Sequence, residues 1–391
     1  MTKKHKEHSL TGRITDELML EAYKEVRRNR GAAGVDKVSI KMFEANLEDN
    51  LTALKRQLKT RSFEPFPLRR SYIKKSKTEF RPLGIPAVRD RVAQAVVRRL
   101  LTPIFERRFH DDSYGFRPKR SCHQAVRRVL EFHRQGYNYV LDADIKGFFD
   151  NIPQKVIMAA VCDEVADGNI LGLVEKFLKS GVLEDGVFKP TSTGTPQGGV
   201  ISPLLANAVL NLLDWRLHDA GYRFVRYADD FVVVCRTRKQ AEEALQLVQH
   251  VLNTDLGLQL SEKKTEITTY GKGYHFLGFF LSSRSRKMRP KAVEKFKDKI
   301  RAHTVRKHNL DARLIEDLNR VIRGTANYFA TDFSTCVQQH KALDAWIRMR
   351  LRCMKYKRKS QQDNKKLRNK RFRKLGLLSL TDFCYSACQR A

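Results

Sequence analysis

The sequence contains no apolar run of about 18 residues, the minimum that a membrane-spanning helix needs. It has no lipidation motif, and residues 1–10 are polar and basic, without the apolar segment of a secretory signal peptide. These absences argue against a membrane-bound or secreted protein. We therefore expect a cytoplasmic chain that does not use a membrane as a partner.

Cysteine is scarce and irregularly placed. The seven cysteines show no C-x-x-C spacing, and their odd number does not suit a disulfide framework. Cys384 and Cys388 stand close enough in the sequence to share a metal ion, but no second pair of ligands accompanies them. The sequence therefore favours reduced, mostly buried thiols in a reducing compartment.

Negative charge is also in short supply. Lys and Arg number 76 against 43 Asp and Glu, which gives a formal net charge of +33. Like charge of this size destabilises a compact protein unless a polyanion neutralises it, and nucleic acid is the first candidate because its phosphates release counterions on binding. The hydrophobic fraction of 41% is ordinary, so the 391 residues suffice for two or three folded units.

Hydrophobic periodicity predicts helices and strands along the first 282 residues. Val92, Val96, Leu100 and Ile104 recur every fourth position, which predicts an amphipathic helix over 89–105. Alternation predicts a strand over 137–145 that carries Asp144 near its end. The same patterns predict helices over 154–180, 203–220 and 239–253, a hairpin of strands 224–227 and 231–235, and a strand-like stretch over 257–270.

The composition changes after about residue 282. From there to the end the chain reads as helical and strongly basic, and residues 355–374 contain eleven Lys or Arg and one acidic residue, Asp363. We therefore expect a structural boundary near residues 282–290. A repeat with a period of about 20 to 50 residues is not evident, so the pattern does not favour a solenoid.

Three aspartates are positioned for metal chemistry. Extending a nucleic-acid strand requires an activated 3′-hydroxyl and a neutralised pyrophosphate, which two Mg²⁺ ions about 3.5–4 Å apart can supply when carboxylates hold them. Asp144 at a strand end and the pair Asp229-Asp230 at a hairpin turn would provide those carboxylates. Taken singly, each also fits an ordinary structural role, because Asp is common in turns and at strand ends.

Seven motifs in order strengthen the catalytic interpretation. Tyr227-Ala228-Asp229-Asp230 resembles the signature of reverse transcriptases, and residues 144–152 and 195–207 are similar to two other motifs of that family. The remaining four resemble the reverse transcriptases encoded by bacterial group II introns: Gly34-Val35-Asp36, Arg81-Pro82-Leu83-Gly84-Ile85-Pro86, Tyr114-Gly115-Phe116-Arg117-Pro118 and Phe276-Leu277-Gly278. The resemblance covers roughly residues 15–330.

The resemblance implies an α+β right-hand polymerase fold. Residues 1–110 would form helical, basic fingers, residues 111–282 an antiparallel-sheet palm with interleaved fingers elements, and residues 283–391 a helical thumb and maturase domain. It further implies that Asp144, Asp229 and Asp230 are catalytic and bind the two Mg²⁺ ions together with the backbone carbonyl of Ile145.

Other residues take roles from the same resemblance. Those expected at the incoming nucleotide are Lys75, Arg81, Phe149, Gln197 and Lys264, with Phe149 acting as a gate against the ribose 2′-hydroxyl. Those expected at primer and template are Arg117, Phe276, Leu277 and Gly278. A solvated basic surface remains the alternative for Lys75 and Arg81, and core packing remains the alternative for Phe149.

The basic C-terminal region resembles the maturase domain of intron-encoded proteins. Residues 318–329 are close to its hallmark, although Thr325 stands where Trp is usual and Arg320 where Pro is common. The residues expected to bind RNA are Arg323, Lys355, Lys357, Arg358, Lys359, Lys365 and Lys366, against the alternative of a solvated helix face. The sequence carries no Cys/His array of the endonuclease type, so we expect the endonuclease-lacking class.

The implied function is RNA-directed DNA synthesis coupled to intron splicing and mobility. The expected partners are group II intron RNA, an RNA template with a DNA primer, dNTPs and target DNA. Three alternatives stay open: a splicing-only maturase, a reverse transcriptase of phage defence or CRISPR adaptation, and an RNA-dependent RNA polymerase. The aromatic ring of Phe149 argues against the last of these.

Overall fold

The computed structural model describes residues 6–74, 80–195 and 198–388. Contacts divide the chain into two compact units. The first consists of residues up to 132 together with 143–266, and the second of residues 133–142 together with 267 onward. The three-part division into fingers, palm and thumb that the sequence implies stays a prediction, because the two units follow a different partition.

The first unit holds ten α-helices and seven strands among the described residues, with β3 shared between the units. The helices are α1 (Asp16–Asn29), α2 (Ile40–Ala45), α3 (Leu47–Lys59), α4 (Val88–Glu106), α5 (Cys122–Arg134), α6 (Phe148–Asn151), α7 (Gln154–Cys162), α8 (Gly168–Lys179), α9 (Ser202–Asp219) and α10 (Arg238–His250). The strands are β1 (Leu68–Lys74), β2 (Phe80–Ile85), β3 (Tyr139–Asp144), β4 (Val182–Glu184), β5 (Val187–Lys189), β6 (Arg223–Tyr227) and β7 (Asp230–Cys235).

The second unit takes residues 133–142, which include the first residues of β3, and is otherwise built from the C-terminal part of the chain. Its further strands are β8 (Glu266–Thr269), β9 (Tyr274–Phe276), β10 (Phe279–Leu281) and β11 (Arg286–Met288). Its helices are α11 (Pro290–His303), α12 (Ala312–Phe329), α13 (Val337–Tyr356), α14 (Asp363–Lys366), α15 (Asn369–Lys374) and α16 (Leu380–Cys388). The basic region is therefore helical, as its composition predicts.

Two sheets organise the first unit. One has the order β2-β1-β4-β5, in which β1 pairs antiparallel with β2 and parallel with β4. The other contains the antiparallel hairpin β6–β7, in register at Tyr227 and Asp230, and next to β7 the end of β3 with Asp144. Residues 231–235 of β7 are all buried, so this strand is covered on both faces and holds the hairpin rigidly.

In the second unit, β11, β10 and β9 form a three-stranded antiparallel sheet. Phe279 pairs with Phe276 across the turn and packs against Tyr328 and Phe329 of α12, with ring centroids 5.6 and 5.0 Å away. These contacts give the unit an aromatic core. Within the described ranges, no helix combines the length and the apolar character needed to cross a bilayer.

Periodicity located most elements but not their ends. The helix predicted over 89–105 is confirmed as α4, whose four periodic residues are buried or nearly so. The helical pattern predicted over 154–180 is confirmed as two helices, α7 and α8, because the Asp167 carboxylate accepts hydrogen bonds from the Asn169 and Ile170 amides and starts the second one. The strand-like stretch 257–270 is mostly irregular, and only Glu266–Thr269 is extended.

Candidate active site

The candidate site begins at the two-residue turn between β6 and β7. Tyr227 pairs with Asp230 across the hairpin, so Ala228 and Asp229 form the turn itself. Ala228 has a φ of 59°, a left-handed conformation that an alanine adopts only at a cost of about 1–3 kcal/mol. The surrounding structure must therefore enforce this turn.

A buried arginine on β6 holds the turn from beneath. Arg226 is fully buried and forms two hydrogen bonds to the Asp214 carboxylate of α9, at 2.7 and 2.5 Å. Its remaining guanidinium nitrogen donates to the Ala228 carbonyl at 3.0 Å and to the Asn207 Oδ1 at 2.8 Å. A buried charge is tolerated when it is paired and its donors are satisfied, and here those bonds tie the turn to α9.

A second support comes from residues 112–115. The Tyr114 amide donates to the Arg226 carbonyl at 2.8 Å, and Asn207 Nδ2 donates to the Gly115 carbonyl at 2.7 Å. A Cβ on Gly115 would collide with the Ala228 backbone nitrogen, so only glycine permits this approach. The sequence motif around Gly115 therefore shapes the turn, a role that the sequence analysis did not assign.

Asp144 lies at the end of β3 and is fixed by the segment 259–264. Its carbonyl accepts the Ser261 amide at 2.8 Å, and the neighbouring Lys146 amide donates to the Gln259 carbonyl at 2.9 Å. The Nζ of Lys264 lies 2.7 Å from Oδ2 of Asp144. Ile145 is buried and forms a β-bridge with Leu260, which keeps its backbone in register beside the carboxylate.

The charge of the Asp144 carboxylate affects the pKa of Asp229. Burial is the main cause that raises the pKa of Asp229, and the Asp144 carboxylate raises it further. The charges of Arg81 and Lys264 act in the opposite direction. Arg81 on β2 is thus close enough to stabilise negative charge at the turn, and its expected contact with triphosphate stays a prediction.

The donor set suits a divalent cation of the hard type. Carboxylate oxygens are the ligands that such ions prefer, and mutual repulsion between Asp144 and Asp229 would be relieved by a bound cation. Asp230, half-buried, begins β7 directly after Asp229, and successive strand residues point to opposite faces. Among the described side chains, these three carboxylates do not bring one oxygen each to within 4.8 Å of the others.

The predicted nucleotide pocket is described in part. Phe149 on α6 is half-buried and contacts Phe148 edge-to-face at 5.3 Å, and its carbonyl accepts the Thr195 amide at 2.8 Å. Gly198 has a φ of 115°, and a Cβ there would collide with the Gly84 carbonyl of β2. Lys75 and Gln197 lie outside the described residues, so their roles stay predictions.

The residues predicted at primer and template make hydrogen bonds or turns within the protein. Arg117 is 8% exposed and donates to the Glu106 carboxylate and to the carbonyls of His110 and Ser113. In the second unit, Leu277 and Gly278 form a tight turn with φ values of 48° and 85°, and Tyr328 Oη donates to the Leu277 carbonyl at 2.8 Å. Contact with nucleic acid stays a prediction for all four residues.

The residues predicted to bind RNA are all exposed in the second unit: Arg323, Lys355, Lys357, Arg358, Lys359, Lys365 and Lys366. Arg358 is also paired with the buried Asp363 carboxylate at 3.1 Å, which anchors the start of this basic segment. Thr325 on α12 donates its hydroxyl to the Val321 carbonyl at 2.9 Å, so the unusual residue of the maturase motif satisfies its own polar group.

Comparison with known proteins agrees with this geometry. Residues 73–281 match the family described as reverse transcriptase (RNA-dependent DNA polymerase), and residues 293–376 match the family described as group II intron, maturase-specific domain. The match to the first family covers just over half of the chain.

Two curated relatives are among the most similar. Protein YkfC of Escherichia coli strain K12 is 35% identical over an alignment of 302 residues, and the match covers 67% of this chain and 79% of that protein. Group II intron-encoded protein LtrA of Lactococcus lactis subsp. cremoris is 32% identical over an alignment of 329 residues, and the match covers 66% of this chain. The chain spans only 54% of the length of LtrA.

A solved telomerase from Candida albicans, in complex with a fragment of telomeric RNA, also resembles the chain weakly. Its TM-score is 0.46 at 11% identity, over 81% of this chain and 64% of that one. The family matches confirm the α+β polymerase fold and the resemblance to intron-encoded proteins. The chain belongs to the reverse transcriptase family, as an RNA-directed DNA polymerase that also carries a group II intron maturase-specific domain.

Proposed function

We propose that this reverse transcriptase copies group II intron RNA into DNA in the cytoplasm and assists the splicing and mobility of that RNA. Its substrates would be dNTPs, an RNA template with a DNA primer, and target DNA at the insertion site. The observation that carries the proposal is that the Asp144 carboxylate raises the pKa of Asp229, which stands on a turn held by the Arg226–Asp214–Asn207 network.

Asp144, Asp229 and Asp230, with the Ile145 carbonyl, would hold two Mg²⁺ ions. The chemistry that such ions supply is activation of the 3′-hydroxyl and neutralisation of the leaving pyrophosphate. The protein's own part would be to hold the carboxylates on rigid strands, so that they keep the geometry that the ions require. The strained turn at Ala228 contributes to this, because it presents Asp229 from a backbone that neighbouring elements fix on two sides.

Cationic side chains would bind the triphosphate of the incoming nucleotide. Arg81 already acts on the charge of Asp229, and Lys264 pairs with Asp144 through its mostly exposed amine. Both are therefore within reach of phosphate oxygens that arrive at the aspartates, and such groups stabilise charge that develops during phosphoryl transfer. Phe149 would exclude ribonucleotides by steric conflict with the 2′-hydroxyl.

The second unit would bind structured intron RNA. Its exposed Lys and Arg residues offer phosphate contacts without a sequence requirement, which suits a large folded RNA. The match of residues 293–376 to the maturase-specific domain supports this assignment over a role in phage defence or CRISPR adaptation. Binding should weaken steeply as salt concentration rises, because counterion release supplies most of the affinity.

Primer extension on a cognate intron RNA tests the proposal, with wild-type protein and Asp229→Asn. We expect the substitution to lower synthesis by roughly a hundred- to thousand-fold, the range seen when one stabilising group is removed, while binding of intron RNA is retained. Asp185→Asn is the matched control, since Asp185 stands in the turn between β4 and β5 and is exposed. Intron binding and splicing support without any synthesis by the wild type would instead indicate a splicing-only maturase.

A further inference from the structure

The second unit contains a buried cluster of soft ligands that the polymerase reaction does not use. Cys336, His340 and Cys384 are 1%, 0% and 4% exposed. The Cys336 and Cys384 sulfurs are 3.3 Å apart, and His340 Nδ1 lies 3.7 Å from the first and 3.0 Å from the second. This is the one set of three metal-ligand side chains in the described part of the chain whose donor atoms all lie within 4.8 Å of one another.

The backbone brings these residues together in a specific way. Cys336 immediately precedes α13 and His340 lies in its first turn, where its amide donates to the Cys336 carbonyl at 2.9 Å. Residues four apart share a helix face, so the thiol and the imidazole lie side by side. Cys384 comes from α16, which packs against α13.

Asp344 fixes the approach of α16 independently of the cluster. Its buried carboxylate, one turn beyond His340 on α13, accepts the Leu380 amide at 2.9 Å and the Thr381 amide at 3.0 Å. It also accepts the Ser379 and Thr381 hydroxyls, so it caps the start of α16. The Asp344 contacts thus fix the position of α16 against α13 without a bound metal ion. The three side chains of the cluster are therefore preorganised.

The donor chemistry matches Zn²⁺. In tetrahedral zinc sites, Zn–S is about 2.3 Å and Zn–N about 2.0 Å, which implies edges of roughly 3.8 Å between sulfurs and 3.5 Å between sulfur and nitrogen. The observed edges are within about half an ångström of these values, and the cysteines are not joined by a disulfide. A small expansion of the cluster would therefore admit the ion.

The imidazole provides a second observation. Nδ1 of His340 is directed at the two sulfurs, whereas its Nε2 is buried and has no hydrogen-bond partner among the described residues. A neutral ring with the proton on Nε2 and the lone pair on Nδ1 is the form that ligates a metal.

We propose that Cys336, His340 and Cys384 bind one Zn²⁺ ion that fastens α16 to α13 in the maturase-specific domain. On binding, the two thiols release their protons to solvent and become thiolates, and the imidazole binds as the neutral ring. A fourth ligand completes the tetrahedron; Cys388, four positions after Cys384 in the sequence, and a water molecule are the two alternatives. The ion is structural, because its ligands are buried and belong to a unit that does not contain the catalytic aspartates.

Metal content of the purified full-length chain, prepared without an affinity tag of histidines, is the first test. We expect about one zinc ion per chain, as for a closed structural site. Cobalt exchanged into the same site should show thiolate-to-cobalt charge-transfer absorption and the visible bands of tetrahedral geometry. Stoichiometric zinc in neither the purified protein nor a sample refolded with zinc would overturn the proposal, as would a Cys336–Cys384 disulfide found by mass spectrometry under reducing purification.

Variants locate the ion. Cys384→Ser and Cys336→Ser should lose the zinc and lower the melting temperature, whereas Cys353→Ser, a buried cysteine on the same helix α13, should keep it. If the serine variants do not fold, Cys384→His keeps a ligand and should retain zinc with an altered cobalt spectrum. Loss of charge-transfer intensity in Cys388→Ser identifies that residue as the fourth ligand, and no change identifies water. Zinc that stays bound to both Cys336→Ser and Cys384→Ser would contradict the assignment.

Discussion

The Nζ of Lys264 lies 2.7 Å from Oδ2 of Asp144, so a lysine neutralises one of the carboxylates expected to bind metal. A divalent cation and this ammonium group compete for the same oxygen. The predicted role of Lys264 at the nucleotide is compatible with this ion pair, because the ammonium group can exchange the carboxylate for an incoming phosphate as its partner. The lysine would then couple cation binding to nucleotide binding.

Replacing Lys264 by methionine should separate these two effects. We expect the Mg²⁺ concentration for half-maximal synthesis to fall by roughly two- to five-fold, the range that a solvent-screened ion pair gives, because the competing charge is gone. The KM for dNTP should rise, since a phosphate contact is lost. Lys263→Met, at the neighbouring exposed position, is the control and should change neither quantity. An unchanged Mg²⁺ requirement in Lys264→Met would show that the ion pair does not compete.

The buried Arg226–Asp214 pair should dominate the stability of the first unit. Asp214→Ala leaves the Arg226 charge buried without its partner, and we expect a loss of about 3–5 kcal/mol in the free energy of unfolding. Urea unfolding measures it. Glu242→Ala removes the partner of the exposed Arg238 on α10 and should cost no more than about 1 kcal/mol. Equally small losses for the two substitutions would mean that the buried pair is not needed for the stability of the first unit.

The close approach of Gly115 to the turn between β6 and β7 leads to a prediction about activity. Gly115→Ala places a methyl group against the Ala228 backbone nitrogen and must displace the turn or residues 112–115. We expect DNA synthesis to fall by about 100-fold, as for a misplaced reacting group, while intron RNA binding persists. Gly172→Ala on α8 meets no atom within 4 Å and should leave activity intact. Full activity in Gly115→Ala would disprove the proposed positioning.

Phe149 gives a test of sugar selection. Phe149→Val removes the ring that would conflict with a 2′-hydroxyl, so the ratio of ribonucleotide to deoxynucleotide incorporation should rise by roughly ten-fold or more. Phe148→Val is the comparison at the adjacent, fully buried position, where we expect reduced stability without a change in selectivity. An unaltered ratio in Phe149→Val would leave the ring with a packing role only.

His133 should make the second unit sensitive to acid. Burial lowers the pKa of His133 to about 4, and the ring stacks on Tyr270 and hydrogen-bonds to the Tyr274 hydroxyl and the Tyr137 carbonyl. The unfolded chain, with an ordinary pKa near 6.5, binds the proton first, so stability falls as the pH drops from about 6.5 to 4. The loss attributable to this residue is roughly 3 kcal/mol across that window.

Thermal unfolding of wild type and His133→Gln between pH 7 and pH 4 measures the effect. The variant should be less stable at pH 7 but should lose less stability on acidification. Asp90 titrates with the opposite sign, because burial raises its pKa to about 6 and its contribution is lost as the pH rises; it is present in both proteins and cancels in the comparison. Parallel stability curves would show that His133 carries no linked proton.

Local sequence patterns were sufficient for the family, the fold class and most elements. The alternation that predicts β3, the apolar runs on either side of Ala228 and the four-residue period of α4 each depend on neighbours within a few positions. The motif order then implied the polymerase, and the family match confirms it. The sequence analysis did not assign roles to Arg226, Asp214 and Asn207, although a charged residue inside the apolar strand 224–227 was a visible signal of a buried ion pair.

What remained was decided by residues far apart in the chain. The sequence around Cys384 did not predict the proposed metal site, because Cys336 and His340 lie far from it in the chain. They come close to Cys384 through the packing of α16 on α13, which Asp344 fixes. The Lys264–Asp144 pair likewise joins positions 120 residues apart. Periodicity and motifs report which face of an element is apolar and which chemistry is available. Only packing between elements determines which charges and thiols end up in contact, because those distances depend on how the helices and strands are arranged in space.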